Sequence, residues 1–393
     1  MAGKTTNISL AIAKQPSADT YVDPTTNYMP ISQCRFAIEG QTIASDEYTG
    51  TPWKKGDDVS GKRATLSYNV KLRPPGGAAP PAADAWLPGL ILQAAKFLEN
   101  RVTTAIPAAA EAVASGTTTS VTLAAGAAAT ADLYNGYAIS LSDNGATYKA
   151  RMTAIRDYTA AKVASLMETL SGAPAANYQM PKQLNYFLDA TSTDPTLISQ
   201  ELNLDGHRYD LMNCRPSGLQ LVVPTSTKNQ TLYPELQVSW EMDIYANAAE
   251  ATPTVAALGA VPFFKDGDAW LSLKALGVET FTIDLGIQTE FPPNPNKVDG
   301  VDAAEFVGAQ AKLSMTRQKY LPAVIDTLAL ADAQALHSFF TQWGSAAGAM
   351  VQLSVLDCRF NYQSPDTGGA LLKEGGDFFI DPYDRVVSLT FPY

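Results

Sequence analysis

The stretch Phe36-Ala-Ile38-Glu39 begins a pattern that recurs, with similar residues in the same order, from Phe281-Thr-Ile283-Asp284. Each copy continues with Gln-Thr and a polar loop. A second strand pattern follows, Gly61-Lys-Arg-Ala-Thr-Leu-Ser67 in the first copy and Gly308-Ala-Gln-Ala-Lys-Leu-Ser314 in the second, 247 residues later. The duplicated order of strand, long loop, strand and helix predicts two similar lobes. Such a chain suits quasi-symmetric assembly better than a single active-site cleft.

Two segments have the apolar spacing of an amphipathic helix. The apolar positions are Trp86, Leu87, Leu90, Ile91, Ala94 and Leu98 in the first lobe, and Ala335, Leu336, Phe339, Phe340 and Trp343 in the second. Asp84 lies near the start of the first helix. Asp332 is the expected N-terminal cap of the second helix, and Gly344 its expected end. Because each helix is apolar on one face only, we expect each to cover one face of its lobe's sheet.

Alternating apolar and polar residues, typical of half-buried strands, dominate the rest of both lobes. The alternation is clearest in Leu66–Leu72, Leu219–Val223, Leu236–Ile244, Val351–Leu356 and Val386–Phe391. The predicted fold is therefore mainly β, with sandwich-like or barrel-forming sheets and one flanking α-helix in each lobe.

A third kind of segment interrupts the first lobe directly after its helix. Residues 114–180 are rich in Ala, Thr and Gly, and their short strand patterns are separated by Asn-Gly turns, as in a small β module. Surface loops tolerate such insertions. The predicted organisation is a first lobe over 1–113 and 181–258, the inserted module over 114–180, and a second lobe over 259–393.

The composition indicates a folded, acidic protein. The chain has 393 residues, of which 46% are hydrophobic and 17% charged, and a formal net charge of −11. This length suffices for two or three domains with separate cores. Because sequence-independent DNA binding needs a surplus of Lys and Arg, an ordinary DNA-binding domain is not expected. No run of about 18 apolar residues occurs, the N-terminus lacks the apolar core of a secretory signal, and no contact with a membrane is expected.

The residues that commonly carry chemistry form no recognisable arrangement. The two histidines, His207 and His337, are far apart, and the chain has no phosphate-binding loop, dinucleotide fingerprint or zinc motif. The cysteines, Cys34, Cys214 and Cys358, have no metal-ligand spacing and indicate reduced thiols in a cytoplasm-made protein. We therefore predict no enzyme, no catalytic, cofactor-binding or metal-binding residues, and no cofactor.

Two groups of residues leave a functional alternative open. Glu39 and Asp284 fall at equivalent places in the two copies, which favours a structural role such as an interface salt bridge over acid–base chemistry. The aromatic residues around Trp240 could form a sugar-binding strip, but alternation places Trp240 with Val238 and Met242, and core packing explains them better.

The two lobes, over about 30–113 and 181–393, resemble the major tail tube proteins of long non-contractile-tailed bacteriophages. The residues that carry the resemblance are Leu66–Leu72, Trp86–Ala95, Leu204-Asp205-Gly206, Tyr209–Leu211, Cys214-Arg215, Ser217-Gly218 and Pro234–Trp240. The inserted segment is similar to a small β module that recurs in phage virion proteins. Its matching residues are Leu123, Ala125-Gly126, Ala129, Tyr134–Gly136, Ile139, Arg151, Ile155, Tyr158 and Tyr178.

The resemblance implies a structural virion protein that polymerises as stacked rings into a tail tube, the conduit for DNA ejection. The partners it implies are further copies of the chain, the tape measure, the tail terminator and the tail tip, with viral DNA passing through the lumen without specific binding. An acidic lumen would repel DNA. Two lobes per chain favour homotrimeric, pseudo-hexameric rings; a homohexamer is the alternative. The expected location is the virion tail, after synthesis and assembly in the host cytoplasm.

Two polar loops at equivalent positions, Asp46–Ser60 and Glu290–Val307, are candidates for ring-to-ring contact. Their apolar residues Trp53, Phe291 and Phe306 have the pattern of interface anchors; anchoring of each loop on its own lobe is the alternative. Alternative functions for the whole chain are those of a tail terminator, adaptor, decoration or baseplate protein, or of an adhesion protein that binds carbohydrate through the inserted module.

Overall fold

The structure is a computed structural model that describes residues 7–24, 28–43, 58–143, 152–191, 194–223, 234–251, 253–255, 269–297, 301–344, 346–368 and 371–393. In these residues the chain is mainly β, with large antiparallel sheets and two short helices, which confirms the predicted fold class. All five stretches of clear alternation lie in or overlap strands.

The elements of the first lobe and the module follow one another along the chain. They are β1 (Ile8–Lys14), β2 (Tyr28–Pro30), β3 (Ser32–Ile43), β4 (Asp58–Lys71), α1 (Leu87–Ala94), β5 (Phe97–Val102), β6 (Ile106–Ala112), β7 (Ser115–Gly116), β8 (Ser120–Thr122), β9 (Ala138–Asp143), β10 (Thr153–Tyr158), β11 (Val163–Leu166), β12 (Pro174–Met180), β13 (Gln183–Leu188), β14 (Ile198–Leu204), β15 (His207–Val223) and β16 (Glu235–Ala249).

The second lobe contains the remaining elements. They are β17 (Ala269–Leu271), β18 (Lys274–Leu276), β19 (Val278–Asp284), β20 (Ile287–Glu290), β21 (Glu305–Ala309), β22 (Lys312–Gln318), α2 (Thr327–Ala333), β23 (Leu336–Trp343), β24 (Val351–Phe360), β25 (Ser364–Asp366), β26 (Lys373–Ile380) and β27 (Val387–Pro392).

Two layers of strands enclose the main core. The first layer runs β3–β4–β16–β15–β19–β22–β26–β25. The second runs β5–β13–β27–β24–β23–β17–β18 and joins the first where β24 pairs with β26. Apolar side chains on the facing surfaces interdigitate, as where the ring of Phe281 on β19 lies 5.0 Å from that of Phe339 on β23. The other face of the first layer carries mostly polar residues, for example Ser67, Gln237 and Ser314.

The module takes the place of a hairpin loop. Strands β5 and β13 are antiparallel neighbours whose last pair is Val102–Gln183, and β6–β12 form a separate seven-stranded sheet between them. This sheet begins at Ile106, a few residues before the predicted boundary at 114. It has its own core, including Tyr134 and Tyr158 with ring centroids 4.9 Å apart, and it contacts the second layer through Tyr137 stacked on Phe187.

The helices agree with the sequence in one lobe only. In the first lobe α1 ends at Ala94, and Leu98 already belongs to β5. In the second lobe the predicted helix from Ala335 to Trp343 is wrong, because these residues form β23. From Ser338 onward β23 is buried on both faces, so it lacks the alternation that identifies a strand.

Helix α2 lies just before the predicted helix and has its own boundaries. Its N-terminal cap is Asp326, whose Oδ1 accepts a hydrogen bond from the Ala329 N–H at 3.1 Å. Asp332 is therefore not a cap but a residue of the last turn, where its carboxylate accepts a hydrogen bond from the Tyr362 hydroxyl at 2.7 Å. Gly344 ends a strand instead of a helix; its φ of +75° makes the turn after β23.

Candidate assembly surfaces

The two copies of the repeated sequence share most of their strand pairing at an offset of 247 residues. The pairs are Ile43–Asp58, Thr42–Val59 and Phe36–Leu66 in the first copy, and Glu290–Glu305, Thr289–Phe306 and Ile283–Leu313 in the second, each number 247 higher. Chance similarity would not reproduce three pairs in one register, so the geometry supports an internal duplication.

This register corrects two equivalences inferred from the sequence. Phe36 corresponds to Ile283, not to Phe281, because both face the matching leucine of the next strand. Glu39 and Asp284 are accordingly not equivalent residues: Glu39 faces Arg63, whereas Asp284 faces Lys312. A shift of two residues leaves the apolar face of a strand inward, so alternation alone cannot detect it.

The equivalence extends over four strands in each lobe. We call β3, β4, β16 and β15 the first unit, and β19, β22, β26 and β25 the second unit. Residues paired across three neighbouring strands form a row, and two such rows match between the units. The row Leu66–Trp240–Pro216 corresponds to Leu313–Phe378–Phe360. The row Val70–Leu236–Leu221 corresponds to Arg317–Glu374–Pro365. Each unit therefore begins with the hairpin of the repeated sequence and ends with a strand from the later part of the same lobe.

The two units are joined inside the chain by the pairing of β15 with β19, which we call the internal junction. Its four pairs are Gln220–Asp284, Leu221–Ile283, Val222–Thr282 and Val223–Phe281. The Leu285 N–H continues the ladder by donating to the Leu219 carbonyl at 3.1 Å. The side chain of Gln220 also donates to the Asp284 carboxylate at 2.8 Å. Continuous backbone pairing makes the two units one sheet.

The outer strands of the two units, β3 and β25, pair on one side only within the part of the chain that the structure describes. The exposed fractions of their side chains show that these edges are uncovered. Ile38 on β3 is 54% exposed, whereas its equivalent Leu285, covered at the internal junction, is 3% exposed. All three residues of β25 are exposed. Unpaired edges of this kind are templates for pairing with another strand.

The second polar loop folds back on its own chain. Strands β20 and β21 make it a two-stranded arm, and Lys297 Nζ lies 2.8 Å from Asp19 Oδ2. This hydrogen bond with Lys297 holds the pKa of Asp19 below its usual value. The ring of Phe291 lies 3.8 Å beneath the guanidinium of Arg63, an attractive cation–π geometry. Phe291 thus has contacts within its own chain, and its part in ring-to-ring contact remains a prediction.

The remaining two candidate residues are placed differently. Phe306, on β21, is half-buried and lies at a cavity of about 390 Å³ at the loop end of the second unit. The cavity is also lined by Lys96, Leu285 and Phe379. Trp53 and residues 44–57 of the first polar loop lie outside the described residues.

An exposed apolar patch lies at the opposite end of the same strands. Its exposed fractions are 75% for Leu321, 62% for Leu328, 60% for Leu371, 49% for Leu372 and 45% for Val324. The backbone N–H of Lys319, just after β22, donates to the Leu372 carbonyl at 3.0 Å, which holds the two halves of the patch together. Seven residues of β22 separate patch from cavity, roughly 23 Å at about 3.3 Å per residue. The sequence did not indicate this patch.

Several buried charges form ion pairs within the chain. Arg317 and Glu374, with 0% and 2% of their side chains exposed, lie 2.6 Å apart. The guanidinium of Arg208 is surrounded by four carboxylates, those of Asp23, Glu201, Asp210 and Glu250. Burial raises the pKa of Glu201. Such clusters are expected to fix the packing of strands.

The described part of the chain contains no cluster of three or more His, Cys, Asp or Glu residues placed to hold a metal ion. Among these same residues no helix is long and apolar enough to cross a membrane. Comparison with models of known protein families gives no match, and comparison with curated proteins gives none either. The repeated units and their open edges are therefore the features from which a function can be argued.

Proposed function

We propose that this chain is a structural subunit of a phage tail tube, in which copies join edge to edge into rings and the rings stack. The observation that carries the proposal is the internal junction. It joins the last strand of the first unit, β15, to the first strand of the second unit, β19, and leaves their respective equivalents, β25 and β3, as open edges among the described residues. A segment with two different open edges is a head-to-tail building block, which closes into a ring when its rotation permits.

Two units in each chain favour rings of three chains, with six equivalent units and 24 strands in the wall. Strands about 4.8 Å apart and tilted by about 40° would then form a barrel with a backbone diameter of roughly 48 Å. Six chains would give roughly twice that diameter. The three-chain ring leaves a channel suited to a DNA duplex once side chains are subtracted.

The two faces of the first layer support a channel. Its apolar face is covered by the second layer, so the polar face, with residues such as Thr65, Ser67 and Thr316, is the one available to line a lumen. This face combines uncharged polar residues with charges of both signs that face one another, such as Asp284 opposite Lys312, so little net attraction to DNA is expected. The module, attached at the far side of the second layer, would decorate the outside.

Ring stacking is supported by the cavity and the patch at opposite ends of the second unit. A cavity of roughly 150 Å³ holds a benzene-sized group, so about 390 Å³ has room for apolar side chains of the patch on a neighbouring ring. A patch complementary to a pocket elsewhere on the same molecule gives an open filament.

Electron microscopy of the purified protein, concentrated alone and with tail-tip proteins, tests the proposal. Hollow tubes with three-fold end views and a wall matching a 24-strand barrel are expected. Single rings that never stack would favour a tail terminator or adaptor. Closed dimers or solid particles under both conditions would overturn the assignment as a tube subunit.

A further inference from the structure

The internal junction provides a template for the contact between chains, and this inference rests on the proposed ring assembly. We infer that β3 of one copy pairs antiparallel with β25 of the next, in the register of β15 with β19. Each open edge therefore pairs with a second copy of this chain. The differences in residue number between equivalent positions of the two units predict which residues pair.

The offsets follow from pairing alone. Residues of β3 and β4 correspond to residues 247 positions later, and residues at the end of β15 correspond to residues 144 positions later, as Leu221 does to Pro365 and Pro216 to Phe360. Applied to the internal junction, they predict four pairs between copies. These are Ala37–Ser364, Phe36–Pro365, Arg35–Asp366 and Cys34–Thr367.

The charges at the two edges fit this register. Arg35 and Asp366 are both exposed, and neither has an ion-pair partner among the residues that the structure describes. The template places them directly opposite each other, in the position of Val222 and Thr282. Opposite charges at facing positions of antiparallel strands attract, whereas a register shifted by one residue would send them to opposite faces of the sheet.

The proline in β25 is compatible with this arrangement. At the internal junction the Leu219 carbonyl accepts from Leu285, so the backbone groups of Leu219 and Leu221 point toward β19. Pro365, the equivalent of Leu221, therefore turns its nitrogen toward the open edge and costs no hydrogen bond within the chain. Pro365 removes one backbone N–H donor from the contact between copies, which disfavours premature pairing of the β25 edge with other strands.

Cysteine cross-linking tests the register directly. Gln220–Asp284 is a non-hydrogen-bonded pair at the internal junction, so its equivalent, Ala37–Ser364, has the close Cβ spacing that a disulfide needs. Within one chain these residues lie seven strands apart, roughly 34 Å, so a disulfide between them must link two chains. We expect the A37C/S364C variant to form covalent multimers under mild oxidation, ending in a closed trimer.

The control variant, E39C/S364C, displaces the first cysteine by two residues along β3, on the same face of the strand. It should cross-link at least tenfold more slowly, because diagonal positions are about 7–8 Å apart. The wild type, with half-buried Cys34 as its most accessible thiol, should give no multimers. Equal cross-linking of the two double variants would overturn the inferred register.

Charge exchange gives a second measurement that does not depend on oxidation. Arg35→Glu and Asp366→Arg should each reduce assembly at least tenfold at low salt, and the two together should restore it. Arg101→Glu, an exposed change on β5, serves as the control and should assemble normally. Failure of the double exchange to restore assembly would overturn the ion pair.

The outcomes separate this inference from the proposed function. Wild-type tubes without A37C/S364C cross-links would overturn the register and leave the tube assignment standing. Head-to-tail cross-links in a protein that forms no rings or tubes would support the junction and overturn the assignment. Absence of both would overturn both.

Discussion

At the scale of single residues, the two units differ most in one row of their core. The first unit has Val70 opposite Leu236, and the second has Arg317 opposite Glu374 at the equivalent places. The Nε and Nη1 atoms of Arg317 are buried without a hydrogen-bond partner in the described part of the chain. The second unit thus accommodates a charged pair where the first shows that apolar residues suffice.

We predict that Arg317→Val alone destabilises the fold by about 3–5 kcal/mol, because Glu374 is left buried with Lys319 as its one remaining ionic partner among the described residues. The double variant Arg317→Val/Glu374→Leu, copied from the first unit, should be at least as stable as the wild type. Urea unfolding monitored by Trp fluorescence measures both. Equal loss in the single and double variants would contradict the argument.

A second prediction concerns His337 on β23. Its Nδ1 lies 2.7 Å from Ser272 Oγ and its ring packs edge-on against Phe360, 5.0 Å between centroids. Burial, assisted by the positive charge of Arg156, lowers the pKa of His337 below its ordinary value of 6.5. Between the lowered pKa and 6.5 the unfolded chain binds a proton that the folded chain does not, so stability falls as the pH falls through 6.5.

We therefore expect His337→Gln to flatten the change in unfolding free energy between pH 7.5 and pH 5.5. Each unit of pKa difference corresponds to about 1.4 kcal/mol. His207→Gln, an exposed change at the first residue of β15, is the matched control and should retain the wild-type pH dependence. The same dependence in all three proteins would show that His337 is not responsible.

At the scale of elements, the open edge of β3 can be tested by equivalent substitutions in the two units. Ile38→Asp should change monomer stability by less than about 0.5 kcal/mol, since surface changes are usually small, yet it should block assembly. Leu285→Asp, at the equivalent buried position, should unfold the chain. Thermal unfolding and sedimentation velocity distinguish the two. Normal assembly of the Ile38 variant would contradict an interface at this edge.

The sequence predicted most strands because the first layer has one polar and one apolar face, and alternation reports that difference. It failed at β23, where Phe339, Phe340 and Trp343 are all fully buried and both faces of the strand are covered. Helix α2 was not predicted, for the opposite reason. Only Ala331 of its seven residues is buried, so it has no apolar stripe to recognise.

The assembly surfaces were only partly predictable. The duplication and the arm of β20 and β21 were visible as a repeat and a polar loop. The edge at β25 was not, since a three-residue strand of Ser364, Pro365 and Asp366 carries no strand pattern. Its role becomes visible only when its pairing partners are compared with those of β15.

At the scale of the whole molecule, the module should be separable from the lobes. Replacing residues 103–182 by Asn-Gly connects the paired residues Val102 and Gln183 through a two-residue hairpin turn. The variant loses the Arg156–Asp357 ion pair at 2.6 Å and the cover over Phe187. We expect a folded protein whose Tm is lower by several degrees and whose tubes are narrower outside but unchanged inside. An unfolded or aggregated variant would show that the lobes depend on the module.

Stacking of rings should depend on the exposed apolar patch. A Leu321→Glu/Leu372→Glu variant is expected to form isolated rings but no tubes, because burying two carboxylates in the largely apolar cavity beside Phe306 is unfavourable. Leu98→Glu, at a position 57% exposed on β5, is the control and should form tubes. Electron microscopy gives the ratio of rings to tubes. Full-length tubes from the patch variant would place the stacking contact elsewhere.

The internal junction also has a consequence for how the two units can change in evolution. Since one polypeptide carries both units, they are synthesised in equal number and always alternate around any ring, without recognition to sort them. Selection can then act on each separately, as the Arg317–Glu374 row of one and the inserted module of the other illustrate. A ring with six-fold spacing of its wall would therefore display its decorations with only three-fold periodicity.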